Sequence, residues 1–326
     1  MADMYYDRVL SPNFAKKLEI GGELRWLLDF VRKNPDLDIF IGKNKSGEVI
    51  SLYRGLSRII RISPNEEIDG AEAYKKIHRS LYGNKKGKLN FEKELEVLLS
   101  EVRETDKFDR YYKNEKEGYY QNKLLRKYGI DSDTNSEFVI IDREVVIGHK
   151  NRDKKEEFFR KFKKRYKDMQ SHLSEINSIK YGENLNKKSI GDELDFLALD
   201  KEGNILLIEF KHGGKGCNTS GIYLSPLQIG LYYDIFTEYH RKPDFENTIF
   251  QMLKQKQEIG LINPDWQPPT AIKELIPILV ISEFNYKSSA KEKYKEIMKI
   301  CRKIFGEDFL SNIRTYNFSN SQLKPW

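Results

Sequence analysis

The stretch DELDFLALDKEGNILLIEFKH, residues 192–212, decides how the chain folds. Two apolar runs flank Asp200-Lys201-Glu202-Gly203-Asn204, a set of turn formers, so the pattern is that of a β-hairpin. Yet Asp195 sits between Leu194 and Phe196 in one arm, and the other runs from Ile205 to Ile208 straight into Glu209-Phe210-Lys211. Burying an unpartnered charge costs several kcal/mol, on the order of the whole stability of a small domain. Three ionisable groups in two apolar strands therefore have partners or a chemical task.

A hairpin that folds about residue 202 brings Asp195 opposite residues 208 to 210, most simply opposite Glu209. Directly opposed residues have Cβ atoms roughly 4.5–5.5 Å apart, and the period of two along a strand puts Lys211 on the same face as Glu209. Two carboxylates that close repel, so at least one pKa rises unless a cation lies between them. A divalent ion resolves the conflict. Hard oxygen ligands suit Mg²⁺ or Mn²⁺; zinc is disfavoured because the stretch offers no sulfur ligand and only His212 as a nitrogen ligand. A lysine beside carboxylates holds its proton, which makes Lys211 a poor free base and a better group for orienting water and stabilising developing charge. The bland counterpart is a cross-strand ion pair between Asp195 and Lys211 that contributes about 0.2–1 kcal/mol.

With 326 residues, 39% of them hydrophobic, the chain can build one large or two ordinary cores. Lys and Arg number 57 against 50 Asp and Glu, a net charge of +7 that leans toward polyanionic partners such as nucleic acid. Two cysteines, Cys217 and Cys301, allow no disulfide framework and no C-x-x-C zinc site, and suit a reducing cytoplasm. The N-terminus has no apolar signal region, and the run Leu275 to Ile281 is far short of the ~18 residues a spanning helix needs, so neither secretion nor a membrane is expected.

Residues 1–110 read as an α+β unit: an amphipathic helix at 23–33, strands at 37–42, 48–54 and 56–62 around the turn Asn44-Lys45-Ser46-Gly47, then helical patterns at 71–81 and 91–103. A boundary near 110 falls in the charged, tyrosine-rich stretch 107–120, which leads into a helix at 115–128. In 111–326, FVIIDREVVIG (138–148) reads as a hairpin or two short strands. A helix over 153–173 follows, with Phe158, Phe162, Tyr166, Met169 and Leu173 as its core stripe. Its many cations form a solvated face or a track for a phosphate backbone. Strands at 193–199, 204–211, 275–282 and 312–318 alternate with helices at 226–240, 245–258 and 288–305, the order of an α/β sheet covered by helices. Leu275 to Ile281, apolar without alternation, reads as a central buried strand, and Pro277 counts against that reading.

Asp195, a strand, a turn and Glu209-Phe210-Lys211 resemble the D…(D/E)-x-K signature of the PD-(D/E)XK nuclease superfamily, the restriction-endonuclease-like fold. Gln228 and Tyr232, in LSPLQIGLYYDIF, are similar to the Q-x-x-x-Y motif of its RecB-type and NucS-like members, and their i, i+4 spacing puts both on one helical face. The resemblance covers residues 185 to 240 well, the tail loosely, and the N-terminal third not at all. It implies a three-layer α/β core, a mixed sheet flanked by helices, behind an N-terminal α+β accessory domain that recognises substrate or partner. It also implies Mg²⁺- or Mn²⁺-dependent hydrolysis of phosphodiester bonds in DNA by an endo- or exonuclease. Asp195, Glu209 and the main-chain carbonyl of Phe210 would bind metal, Lys211 would assist catalysis, and Gln228 and Tyr232 would support the site or touch nucleic acid. DNA is the partner so implied, with a homo-oligomer left open.

Two departures from the signature bear on the chemistry. Leu194 stands where the motif often has proline, and the extra acidic residue from an upstream helix is either Glu117 or Glu157. The alternative reading is a nuclease-derived binding or scaffold protein that keeps the fold without cutting. Gln228 has a competing role as the third helical residue of a capping box with Ser225 as N-cap and Pro226 at the first position. His212-Gly213-Gly214-Lys215-Gly216 lacks phosphate-loop spacing and reads as a flexible loop at the mouth of the site, and none of the five histidines has catalytic spacing.

Overall fold

In the computed structural model the chain is described except at residues 1–3, 45–46, 105–111, 150, 177–190, 192 and 215–219. Apolar runs broken by turn formers generate a six-stranded sheet: Phe138–Val145 (β1), Leu194–Asp200 (β2), Ile205–His212 (β3), Leu275–Ser282 (β4), Arg314–Ser319 (β5) and Gln322–Pro325 (β6). Their spatial order is the order of the chain. β3 is antiparallel to β2 and parallel to β4, β5 is parallel to β4, and β6 is antiparallel to β5, so the sheet is mixed. The α/β class read from the sequence holds.

Consecutive residues Phe196 to Leu199, Ile205 to Phe210 and Leu275 to Ser282 are all buried, which requires cover on both faces. The helices of the same unit are Arg152–Glu175 (α1), Ser220–Tyr223 (α2), Ser225–His240 (α3) and Ala290–Phe305 (α4). α3 packs on β3 and β4, and α1 approaches α3 closely at Gly230, where a Cβ would lie 2.9 Å from the Tyr166 ring. There the Tyr166 hydroxyl donates to Asp234 at 2.8 Å, and Tyr166, Met169 and Leu173 of the expected stripe are fully buried. Pro277 is tolerated inside β4 because the ladder to β5 begins only at Ile278↔Arg314, so one side of the strand has no ladder to interrupt.

Of the two readings of residues 138–148, the structure has two strands and not a hairpin. β1 runs on through the buried Asp142, whose carboxylate accepts a hydrogen bond from the Tyr6 hydroxyl, and Gly148–His149 pairs with Met4–Tyr5 instead. A partner for the buried carboxylate is what lets β1 run on through Asp142.

The chain divides into two compact units, one of Met1–Tyr6, Asp142–Glu246 and Pro269–Trp326, the other of Asp7–Ile141 and Asn247–Pro268. The division thus differs from a boundary near 110, which itself lies outside the described residues. Its physical reason is the helix Glu117–Lys127, whose Arg126 guanidinium donates to the carbonyls of Val31 at 2.8 Å and Leu37 at 3.0 Å and so belongs with the N-terminal elements. That second unit carries a five-stranded antiparallel meander from Asp38–Asn44 to Gly83–Asn84, backed by the helices Arg25–Lys33 and Glu92–Glu104. Among the described residues no helix is long and apolar enough to cross a membrane.

The hairpin turn between β2 and β3 depends on Asp200, whose Oδ1 accepts from the amides of Glu202 at 3.0 Å and Asn204 at 2.7 Å, and on Gly203 at φ +98°. A Cβ on residue 203 would meet the Ala271 carbonyl oxygen at 2.3 Å. Gly203→Ala is therefore expected to lower unfolding free energy by about 1–3 kcal/mol, read as a lower denaturant midpoint at unchanged slope.

Candidate active site

The ladder between β2 and β3 runs from Ile205↔Leu199 to Ile208↔Phe196, and its continuation sets Asp195 across from Glu209, the register the sequence predicts. Instead of a further main-chain pair, the Asp195 carboxylate accepts the Phe210 amide proton, Oδ2 to N 2.7 Å. Beyond this point β3 stays paired with β4 as far as His212↔Ser282. Glu209, Phe210 and Lys211 are thus held by one neighbouring strand and one side chain.

Period two then sorts the side chains. Phe210 is fully buried on one face, edge-on to Phe318 at 6.5 Å, and this fixes the rotation of the strand end. On the other face the Lys211 ammonium forms an ion pair with Glu209 Oε1. Glu209 is only 2% exposed, and Lys211 and Asp195 are half-buried. Burial makes the ammonium the natural counterion of a carboxylate that would otherwise be costly to desolvate. The Lys211 stem is backed by α2, where a Cβ on Gly221 would stand 3.5 Å from Lys211 Cδ. Next to it, His212 Nδ1 meets Ser282 Oγ at 2.8 Å, and burial lowers the imidazole pKa and favours the neutral ring.

Gln228 and Tyr232 share a face, and that face meets the chain just before Asp195. The Tyr232 hydroxyl donates to the Glu193 carbonyl at 2.5 Å, and a Cβ on Gly191 would lie 2.8 Å from that hydroxyl and 3.5 Å from Gln228 Nε2. Tyr232 therefore holds the entry to β2, and Gln228 lies alongside it. The alternative capping box does not form: Leu224 is the N-cap of α3, and the Ser225 hydroxyl donates back to the Ile222 carbonyl at 2.7 Å. The reason is α2, a one-turn helix feeding directly into α3, which four residues of sequence give no periodicity to reveal. Lys215 and Gly216 of the expected glycine loop lie outside the described residues.

Neither upstream glutamate is brought to this cluster on the contacts observed. Glu157 is exposed and pairs with Lys154 at 3.5 Å, while Glu117 belongs to the other unit, where it accepts from Gln121 at 3.3 Å. Among the described residues no group of three or more His, Cys, Asp or Glu side chains could hold a metal ion. The donor set of the hairpin is thus two carboxylates and the Phe210 carbonyl, all hard oxygens. It fits a single Mg²⁺ or Mn²⁺ that keeps much of its water, the habit of Mg²⁺ in particular, and does not fit an all-protein cage.

No protein-family model, curated protein or solved structure matches the chain.

Tyr232→Phe removes the bond to Glu193 and leaves the ring in place. The expected loss is about 0.5–1.5 kcal/mol of stability. Amide hydrogen exchange is expected to rise at Phe210, because the entry to β2 positions the carboxylate that this amide serves; unchanged exchange there would show that Tyr232 is only a core aromatic.

Proposed function

We propose that the protein is a metal-dependent nuclease with a restriction-endonuclease-like core, which hydrolyses phosphodiester bonds in DNA. The observation that carries this reading is the union of Asp195, Glu209 and Lys211 at one end of a hairpin whose second strand continues as the centre of the sheet. β1, the helix α1 and the β2–β3 hairpin are followed by α2, α3 and the helix Phe245–Glu258, and then by β4 parallel to β3, and that order supports a three-layer core.

Asp195, Glu209 and the Phe210 carbonyl would hold the divalent cation. When bound, Mg²⁺ or Mn²⁺ supplies Lewis acidity toward a phosphate oxygen and lowers the pKa of a water molecule. The residues of the chain do the positioning. Phe210 fixes the Asp195 carboxylate through its amide, and the ion pair with Lys211 holds Glu209 at its rotamer. The Lys211 ammonium donates toward the attacking water or the charge gathering on the phosphate, in a partly dry site where such a contact is strong. In the net reaction water oxygen bonds to phosphorus, one P–O ester bond breaks, and the departing alcohol takes up a proton. Gln228 and Tyr232 are positioning residues that hold the strand carrying Asp195. The unit of residues 7–141 and 247–268 is assigned to recognition of substrate or partner.

The test is incubation with plasmid, linear duplex and single-stranded DNA in Mg²⁺, in Mn²⁺ and in chelator. Cleavage is expected only with metal and is expected to vanish in Glu209→Gln. Binding without cleavage under all three conditions would favour the non-cutting scaffold. Lys211→Ala is expected to retain DNA binding and to cut roughly 10²–10³-fold more slowly, the scale of losing one electrostatic stabiliser. Since it also removes the counterion of a buried carboxylate, its melting temperature should fall, and rates are compared below both melting points.

A further inference from the structure

The sheet end that carries Lys211 also carries a strained, tightly held loop. Glu283, directly after β4, has φ +49°, a left-handed conformation that a residue with a Cβ adopts only against strain. The segment it redirects is laid across Gly213, two residues beyond Lys211: Gly213 donates to the Ser282 carbonyl at 2.7 Å, and Asn285 donates to the Gly213 carbonyl at 3.2 Å. Phe284 donates to Asn317 Oδ1 at 3.1 Å, and Asn285 closes the turn by accepting from the amides of Lys287 at 3.0 Å and Ser288 at 2.8 Å. A segment so anchored holds its side chains in fixed directions.

The residue it presents is Tyr286, 71% exposed. Its ring stands edge-to-face on Phe284 at 5.3 Å, Phe284 does the same on Trp326 at 5.0 Å, and Trp326 on the buried Tyr294 of α4 at 5.2 Å. Four rings therefore run from the core to solvent. Cations accompany them: Lys291 lies over Trp326 at 5.2 Å, Lys287 is exposed beside Tyr286, and Lys293 lies over Tyr223 of α2, the helix that backs Lys211. A lone exposed aromatic is ordinary. An exposed aromatic held by a strained, pinned loop, braced by three further rings and flanked by lysines, has the composition of a platform for unpaired bases, with rings to stack on and ammonium groups for the phosphates. A duplex keeps its base faces inside and cannot use such a platform.

We infer that Tyr286, with Phe284 and Trp326 behind it, is a stacking shelf for an unpaired base of a single-stranded nucleic acid. Phe284 Cα lies 3.1 Å from where a Cβ on Gly213 would stand, two residues beyond Lys211, so the shelf begins at the sheet end that carries the cluster. The inference rests on the proposed nuclease activity only for what is delivered there, and its test reads binding apart from cleavage.

Affinity is measured in chelator, by fluorescence anisotropy, for one labelled DNA oligonucleotide alone and annealed to its complement. Tyr286→Ala, a change at an exposed site, is expected to weaken single-strand binding roughly tenfold and to leave duplex binding within about twofold, while Tyr286→Phe keeps both, since the stack needs the ring and not the hydroxyl. No change in single-strand affinity, an equal loss on the duplex, or no binding of single strands by the parent protein overturns the shelf. The two readings part cleanly. Tyr286-dependent binding with no Mg²⁺-dependent cutting supports the shelf and defeats the nuclease, whereas cutting with Tyr286-independent binding overturns the shelf alone.

Discussion

One hydrogen bond, from the Phe210 amide to the Asp195 carboxylate, holds the geometry of the sheet end. A side chain takes the place of a main-chain carbonyl where the β2–β3 ladder stops, and a charge-assisted bond of this kind contributes about 1.5–3 kcal/mol. It also sets register. A slip of one residue would carry Glu209 and Lys211 to the opposite face and bring Phe210 to theirs, exchanging a core aromatic for an ion pair. The carboxylate is therefore at once a structural cap on β3 and the acidic residue across the ladder from Glu209, and the two roles cannot be varied independently.

The same coupling governs the charges. Viewed from the sequence, two opposed carboxylates look like a repulsive pair that calls for a metal. In the fold each already has a donor, Asp195 an amide and Glu209 an ammonium. Such a hairpin can fold before any ion arrives, and the Lys211–Glu209 pair is the arrangement a cation would have to compete with or join. Charges kept in a low-dielectric pocket by fixed partners need little rearrangement when charge develops nearby, which is the physical basis of preorganisation.

What the sequence disclosed was local. Apolar runs and turn residues revealed the hairpin and its register, the central strand at 275–282, and the helical face shared by Gln228 and Tyr232, because each depends on spacing within a dozen residues. What it concealed depends on distant partners. The buried Asp142 has its partner in the hydroxyl of Tyr6, 136 residues earlier. Ser225 reads as an N-cap until α2 occupies the preceding turn. β6, a half-exposed edge strand of Gln322, Leu323, Lys324 and Pro325, has no buried face and so no alternation to detect. That Tyr232 would hold the Glu193 carbonyl could not be read from a motif, since 39 residues separate them.

A sheet whose spatial order repeats the order of its strands has a kinetic consequence. Each new strand can dock on the edge left by its predecessor, so β2–β3 and β5–β6 close over short turns, on the microsecond scale typical of hairpins. The parallel joints differ, for β4 can pair with β3 only after the whole connection from Gly213 to Glu274 has been drawn in, at a higher closure entropy than either short turn. During synthesis, at roughly 5–20 residues per second, the β2–β3 hairpin with Asp195, Glu209 and Lys211 would stand for seconds with one side of β3 uncovered. In that interval Lys211, already beside Glu209, is a gatekeeping charge at the end of an otherwise apolar strand and works against edge-to-edge association of nascent chains.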